Sequence, residues 1–218
     1  TERKIRAEIT TDDIDFNIQR LGLWLKYNQK SAISKTEWES LAIASKPKLK
    51  GELFVGVKYG HDGQHVAMSV ASKTNEGKIF VEALDCRTIR EGNDWILSYI
   101  AEMKPKTVVA DGANGQHILE KDMKDAKMKA PTLPTVKEII GANATFEQGL
   151  FKGNICHSNQ ASLTQSVSNS EKRAIGSNGG FGYRSLKEGV EIALLDSVIL
   201  AYWKCTETKE RKKQIARY

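Results

Sequence analysis

Two aspartates have sequence surroundings that suit chemistry, and the first is Asp111. It follows the apolar run 107–110, which predicts a central strand, and it precedes a glycine. In open α/β sheets ligands bind where strands end, so an acidic side chain there is a candidate functional residue. The structural alternative is an Asx turn or a helix N-cap, since Asp before Gly serves both.

The second aspartate, Asp196, lies within the apolar helical segment 191–203. On a helix, its neighbours on the same face are four apolar residues. These neighbours are Ile192, Ala193, Ile199 and Leu200. Burying a lone carboxylate there is costly unless it is paired or binds a cation, whereas a helix edge would let it reach water. Together, Asp111 and Asp196 could hold a divalent cation through oxygen ligands.

Other titratable residues have weaker signals. Asp62, next to Gly63, is a candidate third ligand, although Asp-Gly is also an ordinary hairpin-turn pair. Three histidines are candidate proton carriers or auxiliary ligands, with a structural role as the alternative. They are His61, His65 and His157. Glu82 and Asp85 end a predicted strand, and solvated acids are expected there.

Positive charge is concentrated in two places. The chain has 33 basic and 27 acidic residues, a net charge of +6, and residues 204–218 contribute +4 of it. This tail predicts either a solvated helix end or a contact with a polyanion. Lys172, Arg173 and Arg184 flank the glycine-rich stretch 176–182, which suits sequence-independent binding of DNA phosphates. A surface hairpin with incidental charge is the alternative.

Length and composition indicate a globular chain. With 218 residues and 40% apolar residues, it can bury a core without disulfides. No apolar run approaches the length of a membrane span. The three cysteines are scattered without a CxxC pair, which favours a reduced setting and excludes a cysteine-based zinc site.

The pattern of elements predicts the fold class. Residues 1–50 are expected to be a helical lead, with a capping box at 34–37, followed by a linker at 46–50. Strands are predicted at 53–59, 65–72, 78–85 and 106–110, with extended pieces at 132–134 and 153–157. Helices are predicted at 94–103, from 116 to about 129, and at 136–149, 160–170 and 187–205. A meander followed by alternating helices and strands predicts an α/β, ribonuclease-H-like mixed sheet flanked by helices over residues 51–218. A doubly wound domain would normally begin with a parallel unit instead.

Several short motifs, in order along the chain, resemble the C-terminal nuclease domain of the large terminase subunits of tailed bacteriophages. They are residues 19–24, 31–34 with Trp38, 53–63, 66–71, 108–112, 156–160 with Leu163, and 195–201. The resemblance implies a ribonuclease-H-like nuclease that uses Mg²⁺ or Mn²⁺ to cut concatemeric double-stranded DNA during packaging. It also implies the terminase small subunit and the portal protein as partners, the host cell cytoplasm as location, and no membrane.

Carried onto this sequence, the resemblance implies Asp111 and Asp196 as metal ligands and catalytic residues, and Asp62, in the turn after the first strand, is a further candidate for both roles. The sequence departs from the family in two respects. It contains no GxxxxGK[ST] phosphate loop, so it carries no ATPase motif. Lys58 stands on the first strand, where most relatives place a metal-binding aspartate.

Lys58 divides the functional hypotheses. Its ammonium could replace one cation and be catalytic, or it could mark a loss of activity, or its stem could pack while its head reaches solvent. We therefore expect a metal-dependent endonuclease, with a catalytically weak or inactive DNA clamp or motor-regulating domain of the same fold as the alternative. A resolvase or transposase is a third hypothesis, which the helical lead with Trp24 and Trp38 disfavours.

Overall fold

A computed structural model describes residues 31–176, 179–187 and 189–208 of the chain. The strands are β1 (Phe54–Tyr59), β2 (His65–Lys73), β3 (Ile79–Thr88), β4 (Thr107–Asp111), β5 (Ile155–Cys156), β6 (Ser170–Ile175) and β7 (Gly180–Ser185). The α-helices are α1 (Lys35–Glu39), α2 (Asp94–Met103), α3 (Gln116–Asp125), α4 (Val136–Phe151), α5 (Ala161–Ser168) and α6 (Ala193–Glu207). A short 3₁₀ helix spans Ile89–Glu91.

Five strands form one mixed sheet in the order β4-β1-β2-β3-β5. The first three strands form the predicted antiparallel meander, with tight turns at Gly63 and Gly77, both of which have positive φ. Strand β4 lies parallel to β1, and an isolated parallel bridge joins Val109 to Thr132 beyond it. This topology confirms the predicted ribonuclease-H-like sheet flanked by helices.

Helix α6 lies across β1 at very short range because Gly56 has no side chain. A Cβ atom at Gly56 would overlap the carbonyl oxygen of Ser197 and lie 2.8 Å from the backbone nitrogen of Ala201. The hydroxyl groups of Ser69 on β2 and Ser197 on α6, 2.6 Å apart, also connect the helix to the sheet. These contacts fix Asp196, one residue before Ser197, beside the carboxyl end of β1.

Two apolar clusters sandwich the sheet. One lies under α6 and α4 and includes Trp38, Phe146 and Leu195, all fully buried. The other lies on the opposite face, where Ile96 of α2 and Leu119 of α3 are fully buried. Burial of such side chains stabilises the fold by about 1.5–3 kcal/mol each. Because both faces of the sheet are covered by helices, the ends of its strands are the part left open for a functional site.

The segment before the sheet contains a predicted helix cap. Ser34 and Glu37 form the expected capping box at the start of α1. The predicted helical structure of residues 1–30, with motif 19–24 and Trp24, lies outside the described residues, as does the tail from 209 to 218. Within the described parts of the chain, no helix is both long enough and apolar enough to span a membrane.

Several elements differ from their predicted bounds, and strand β3, for example, continues to Thr88 rather than ending at 85. Helix α6 begins at Ala193 rather than 187, because Gly189 has a φ of 77° and interrupts the helical conformation. The predicted helix 160–170 ends at Ser168, and the glycine-rich region that follows belongs to the antiparallel β6–β7 hairpin. Helix α3 ends at Asp125, and Lys127 adopts a left-handed conformation, four residues earlier than the predicted end.

Candidate functional site

A cleft opens where β1 and β4 end, below the β6–β7 hairpin and beside α6. Its polar lining consists mainly of Lys58, His61, Asp111, Arg173 and Asp196. The structure therefore brings together both aspartates and the lysine that the sequence analysis selected, together with one of the three basic residues flanking the glycine-rich stretch. Strand ends and a helix meet here, which is the place where ligands bind in open α/β sheets.

Lys58 and Asp111 are adjacent because of strand register. They are directly paired residues of the parallel strands β1 and β4, so their side chains project to the same face. Lys58 is only 6% exposed, and its ammonium forms a salt bridge with Asp111 Oδ2. The interpretation in which the lysine head reaches solvent is therefore wrong.

The charge of Lys58 is maintained by the carboxylates around it. Burial alone would lower its pKa, but Asp196 and Asp111 together hold the pKa above its ordinary value. A buried lysine that keeps its charge needs such a pairing, because an unpaired ammonium in the interior loses its hydration without compensation. Lys58 is thus a fixed cation inside the cleft.

Asp196 is half-buried at the start of α6 and lines the cleft. Burial raises the pKa of its carboxyl group to about 6, although the charge of Lys58 opposes this increase. Asp111 and Glu191 add to the increase because their negative charges repel a third. A carboxyl group that titrates close to neutral pH in a cleft is typical of functional sites.

The three basic residues around the glycine-rich stretch occupy different surroundings. Lys172 pairs with Glu147, and Arg184 donates to Glu171 Oε1 at 2.7 Å. Arg173 instead enters the cleft, while its Nε donates to the Tyr183 carbonyl. Because Arg173 is the only one of these three residues that lines the cleft, it is the hairpin cation best placed to contact an anion there.

His61 lies next to Arg173, with its Nε2 atom 3.3 Å from Arg173 Nη2. Burial lowers the pKa of His61, and the charges of Lys58 and Arg173 lower it further. The neutral imidazole can therefore accept a hydrogen bond from the Arg173 guanidinium. This contact helps to hold Arg173 over the cleft.

Asp62 occupies the β1–β2 turn rather than the lining of the cleft. Its Oδ1 accepts hydrogen bonds from the backbone of Gln64 and His65, and its Oδ2 lies 2.5 Å from His65 Nδ1. Burial raises the pKa of Asp62, but these hydrogen bonds outweigh that effect and hold it below its ordinary value. In this conformation Asp62 stabilises the turn, and its role as a metal ligand stays a prediction.

Glu191 is an acidic residue near the site that the sequence analysis did not select. A Cβ atom at Gly60 would lie 3.0 Å from Glu191 Oε2 and 2.7 Å from Asp62 Oδ1, so both carboxylates approach the end of β1. Glu191 precedes α6 instead of belonging to it. The only sequence signal for it is its position five residues before Asp196.

The remaining candidates have structural contacts. His157 is buried and stacks on Trp38 with ring centroids 3.8 Å apart. Its Nδ1 accepts from the Asn159 backbone N–H, and its Nε2 lies 2.9 Å from the Trp38 carbonyl oxygen. Glu82 pairs with Lys46, and Asp85 with Arg87. Both acids are half-buried inside β3, which continues to Thr88, so the prediction of solvated acids at a strand end is wrong.

Comparisons with known proteins identify the fold. No family model matches the sequence, and no curated protein matches it either. Among solved structures, the large terminase of bacteriophage HK97 superposes with a TM-score of 0.64 at 14% identity, covering 92% of this chain and 49% of that one. The chain thus spans about half the length of that terminase.

Two further structures are of the large terminase nuclease of the thermophilic phage G20c, the second of them with bound magnesium. The first form superposes with a TM-score of 0.57 at 14% identity, covering 79% of this chain and 97% of that one. The magnesium-bound form has a TM-score of 0.53 at 16% identity, with coverages of 80% and 97%. This chain therefore has the ribonuclease-H-like fold of the nuclease domains of phage large terminases.

Proposed function

We propose that this domain engages double-stranded DNA as part of a phage genome-packaging motor, and that its own cleavage of that DNA is weak or absent. The fold likeness supports the packaging context, in which the terminase small subunit and the portal protein would be partners. The observation that carries the proposal is the ammonium of Lys58, which lies in the cleft and pairs with Asp111.

The donor set at the cleft does not fit a pair of divalent cations. A two-metal nuclease needs carboxylates that hold two cations about 3.5–4 Å apart. Here one oxygen of Asp111 is bound to Lys58, so the ammonium competes with a cation for that carboxylate. Across the described residues, no group of three or more His, Cys, Asp or Glu side chains is arranged to hold a metal ion.

Electrostatics supports the same proposal. Two like charges about 4 Å apart repel by roughly 4 kcal/mol at an effective dielectric constant of 20. A divalent cation carries twice the charge, so between Asp111 and Asp196 it would meet about twice this repulsion at that distance from Lys58, whose ammonium already neutralises part of the carboxylate charge. The same ammonium, with Arg173, gives the cleft two cations that could contact a phosphodiester.

DNA binding without added metal is the direct test of this function. We expect the protein to bind duplex DNA in EDTA, with affinity that falls as salt rises because counterions are released. Arg173→Ala should weaken binding and reduce the log–log salt slope by about 1. Arg184→Ala is the matched control, because that side chain is paired with Glu171 on the same hairpin. Equal DNA affinity for both variants would contradict the assignment of Arg173.

Cleavage is tested by plasmid nicking across an Mn²⁺ series. We expect little nicking by the parent protein, and both tighter Mn²⁺ binding by calorimetry and stronger nicking for Lys58→Asp. This substitution removes the internal ammonium and adds an oxygen ligand. Circular dichroism should establish that both proteins are folded.

The second candidate function is metal-dependent endonucleolytic cleavage of concatemeric DNA. It is favoured by the convergence of Asp111 and Asp196 in one cleft, and by the magnesium bound to the G20c nuclease. If the parent nicks DNA with Mn²⁺ and both Asp196→Asn and Lys58→Asp abolish it, this second function holds, and Lys58 is a catalytic residue.

A further inference from the structure

A second cavity lies at the opposite end of the sheet from the cleft. It opens where β4 begins, between the carboxyl ends of α2 and α3, and has a volume of about 230 Å³. The cleft lies where β4 ends, at Asp111, so a molecule in this cavity would leave the cleft accessible. The cavity therefore needs an explanation independent of DNA binding in the cleft.

The floor of this cavity is apolar. Ile100, Val108 and Met123 are almost fully buried beneath it, and Met128 is half-buried at its side. Methionine side chains are flexible and polarisable, which suits adaptable contact with an apolar side chain of a partner. Its volume is smaller than the roughly 300–1,000 Å³ of typical small-molecule sites, so the cavity is better matched to single side chains.

The rim of the cavity is basic. Lys104, Lys106 and Lys129 line it and are exposed, and no acidic residue is among the described residues that line it. Lys106 forms a salt bridge with Glu52, and Lys129 Nζ lies 3.5 Å from the Lys106 carbonyl oxygen. Among the described residues, Lys104 has no ion-pair partner. An apolar floor with a positive rim is complementary to an apolar side chain flanked by negative charge.

We propose that this cavity is a docking site for an acidic segment of a partner protein, which inserts an apolar side chain between the lysines. Nucleic acid fits less well. Single strands are held by stacking on aromatic side chains, and none lines the described part of the cavity. A duplex could contact the lysines but could not use the buried methionine floor.

A groove of similar size elsewhere on the domain provides a natural comparison. It lies beside α1, has a volume of about 240 Å³, and is lined by Leu41, Leu150 and Phe151. Its charged lining residues are Glu37 and Glu147, so its charge is opposite to that of the basic cavity. An acidic segment should therefore avoid this groove although its apolar surface is comparable.

The test uses the full chain and a short fluorescein-labelled peptide in which glutamates flank a central Leu-Phe pair. We expect saturable binding by fluorescence anisotropy, weakened at least about tenfold by the double variant Lys104→Glu/Lys129→Glu, because like charges oppose association. Lys78→Glu/Lys152→Glu changes the net charge equally at exposed sites away from the cavity and should bind as the parent does.

Peptide controls separate the two parts of the recognition. Replacing Leu-Phe by Ser-Ser tests the apolar anchor, and replacing the glutamates by lysines tests the charge; each change should abolish binding. Equal binding by parent and Lys104→Glu/Lys129→Glu would overturn the proposal, as would displacement of the peptide by duplex DNA. Arg173→Ala should retain peptide binding, so failure of the DNA-binding function and failure of this docking site are distinguishable.

Discussion

The cleft and the Trp38–His157 stack both bury polar side chains, but they satisfy them differently. Each ring nitrogen of His157 has a backbone partner, and the stacked rings exclude water. In the cleft, one ammonium pairs with Asp111 and only its charge acts on Asp196, whose pKa remains raised. A fully hydrogen-bonded neutral group stabilises the fold, whereas incompletely compensated charge leaves a site able to bind charged ligands.

The largest effect on stability is expected from removing the Trp38–His157 stack. Trp38→Ala should lower the free energy of unfolding by about 3–5 kcal/mol, because Trp38 is fully buried and its loss leaves a cavity beside His157. Urea denaturation measures this change. Phe151→Ala is the control, since Phe151 is 74% exposed and should change stability by at most about 0.5 kcal/mol. Under conditions where Trp38→Ala remains folded, unchanged DNA affinity would distinguish the stack from the cleft.

An intermediate effect on stability is expected from removing the ion pair in the cleft. Lys58→Met should destabilise the fold by about 3 kcal/mol at pH 8, because it leaves Asp111 and Asp196 without their buried counter-charge. The double variant Lys58→Met/Asp111→Asn should recover much of this loss, as measured by urea denaturation of all three proteins. If the single variant is as stable as the parent, the ion pair is not needed to bury these carboxylates.

The pH dependence of stability gives a third comparison, in which the two regions have opposite signs. The pKa of Asp196 in the folded protein, about 6, exceeds the unfolded value of 3.8. Its contribution to stability is therefore complete below pH 3.8 and is lost as pH rises through 6. Comparing thermal unfolding of parent and Asp196→Asn from pH 4 to 7 should reveal this difference; identical pH profiles would show that Asp196 keeps its ordinary pKa.

The contribution of His157 to the pH dependence of stability has the opposite sign. Burial lowers its pKa below the ordinary 6.5, although the hydrogen bond with the Trp38 carbonyl partly opposes this. The unfolded chain therefore takes up more protons below pH 6.5, and stability falls as pH decreases from 6.5 towards the folded pKa. His157→Gln should lack this loss, as measured by thermal unfolding over the same pH range.

The sequence predicted the meander and the capping box, because these depend on local patterns of apolar residues, turns and caps. The same patterns placed Asp111 at a strand end and Asp196 on an apolar helix, whereas their binding of a metal stays a prediction. The sequence did not predict that Lys58 and Asp111 would be partners, because parallel register between β1 and β4 depends on contacts between residues 53 positions apart. The β6–β7 hairpin was predicted only as the alternative for the glycine-rich stretch, since its glycines, serines and charged residues have low strand propensity.

The roles of the three basic residues on this hairpin show the same limit. Strand alternation places Lys172 and Arg173 on opposite faces, but the face that meets the cleft is set by packing. The pairing of Arg184 with Glu171 follows from the hairpin register, in which the two residues are directly opposite. Composition alone assigned all three to DNA, whereas the structure places only Arg173 in the cleft.

Gly56 has a consequence for how the cleft could change. Because a Cβ atom there would overlap the backbone of α6, the spacing between Asp196 and the end of β1 depends on the missing side chain. Any larger residue would push the helix outward, together with its carboxylate. The separation between Lys58 and Asp196 can therefore be increased from a position that contacts neither residue's charged group, and a larger residue at this one site would widen the cleft while its lining residues stay the same.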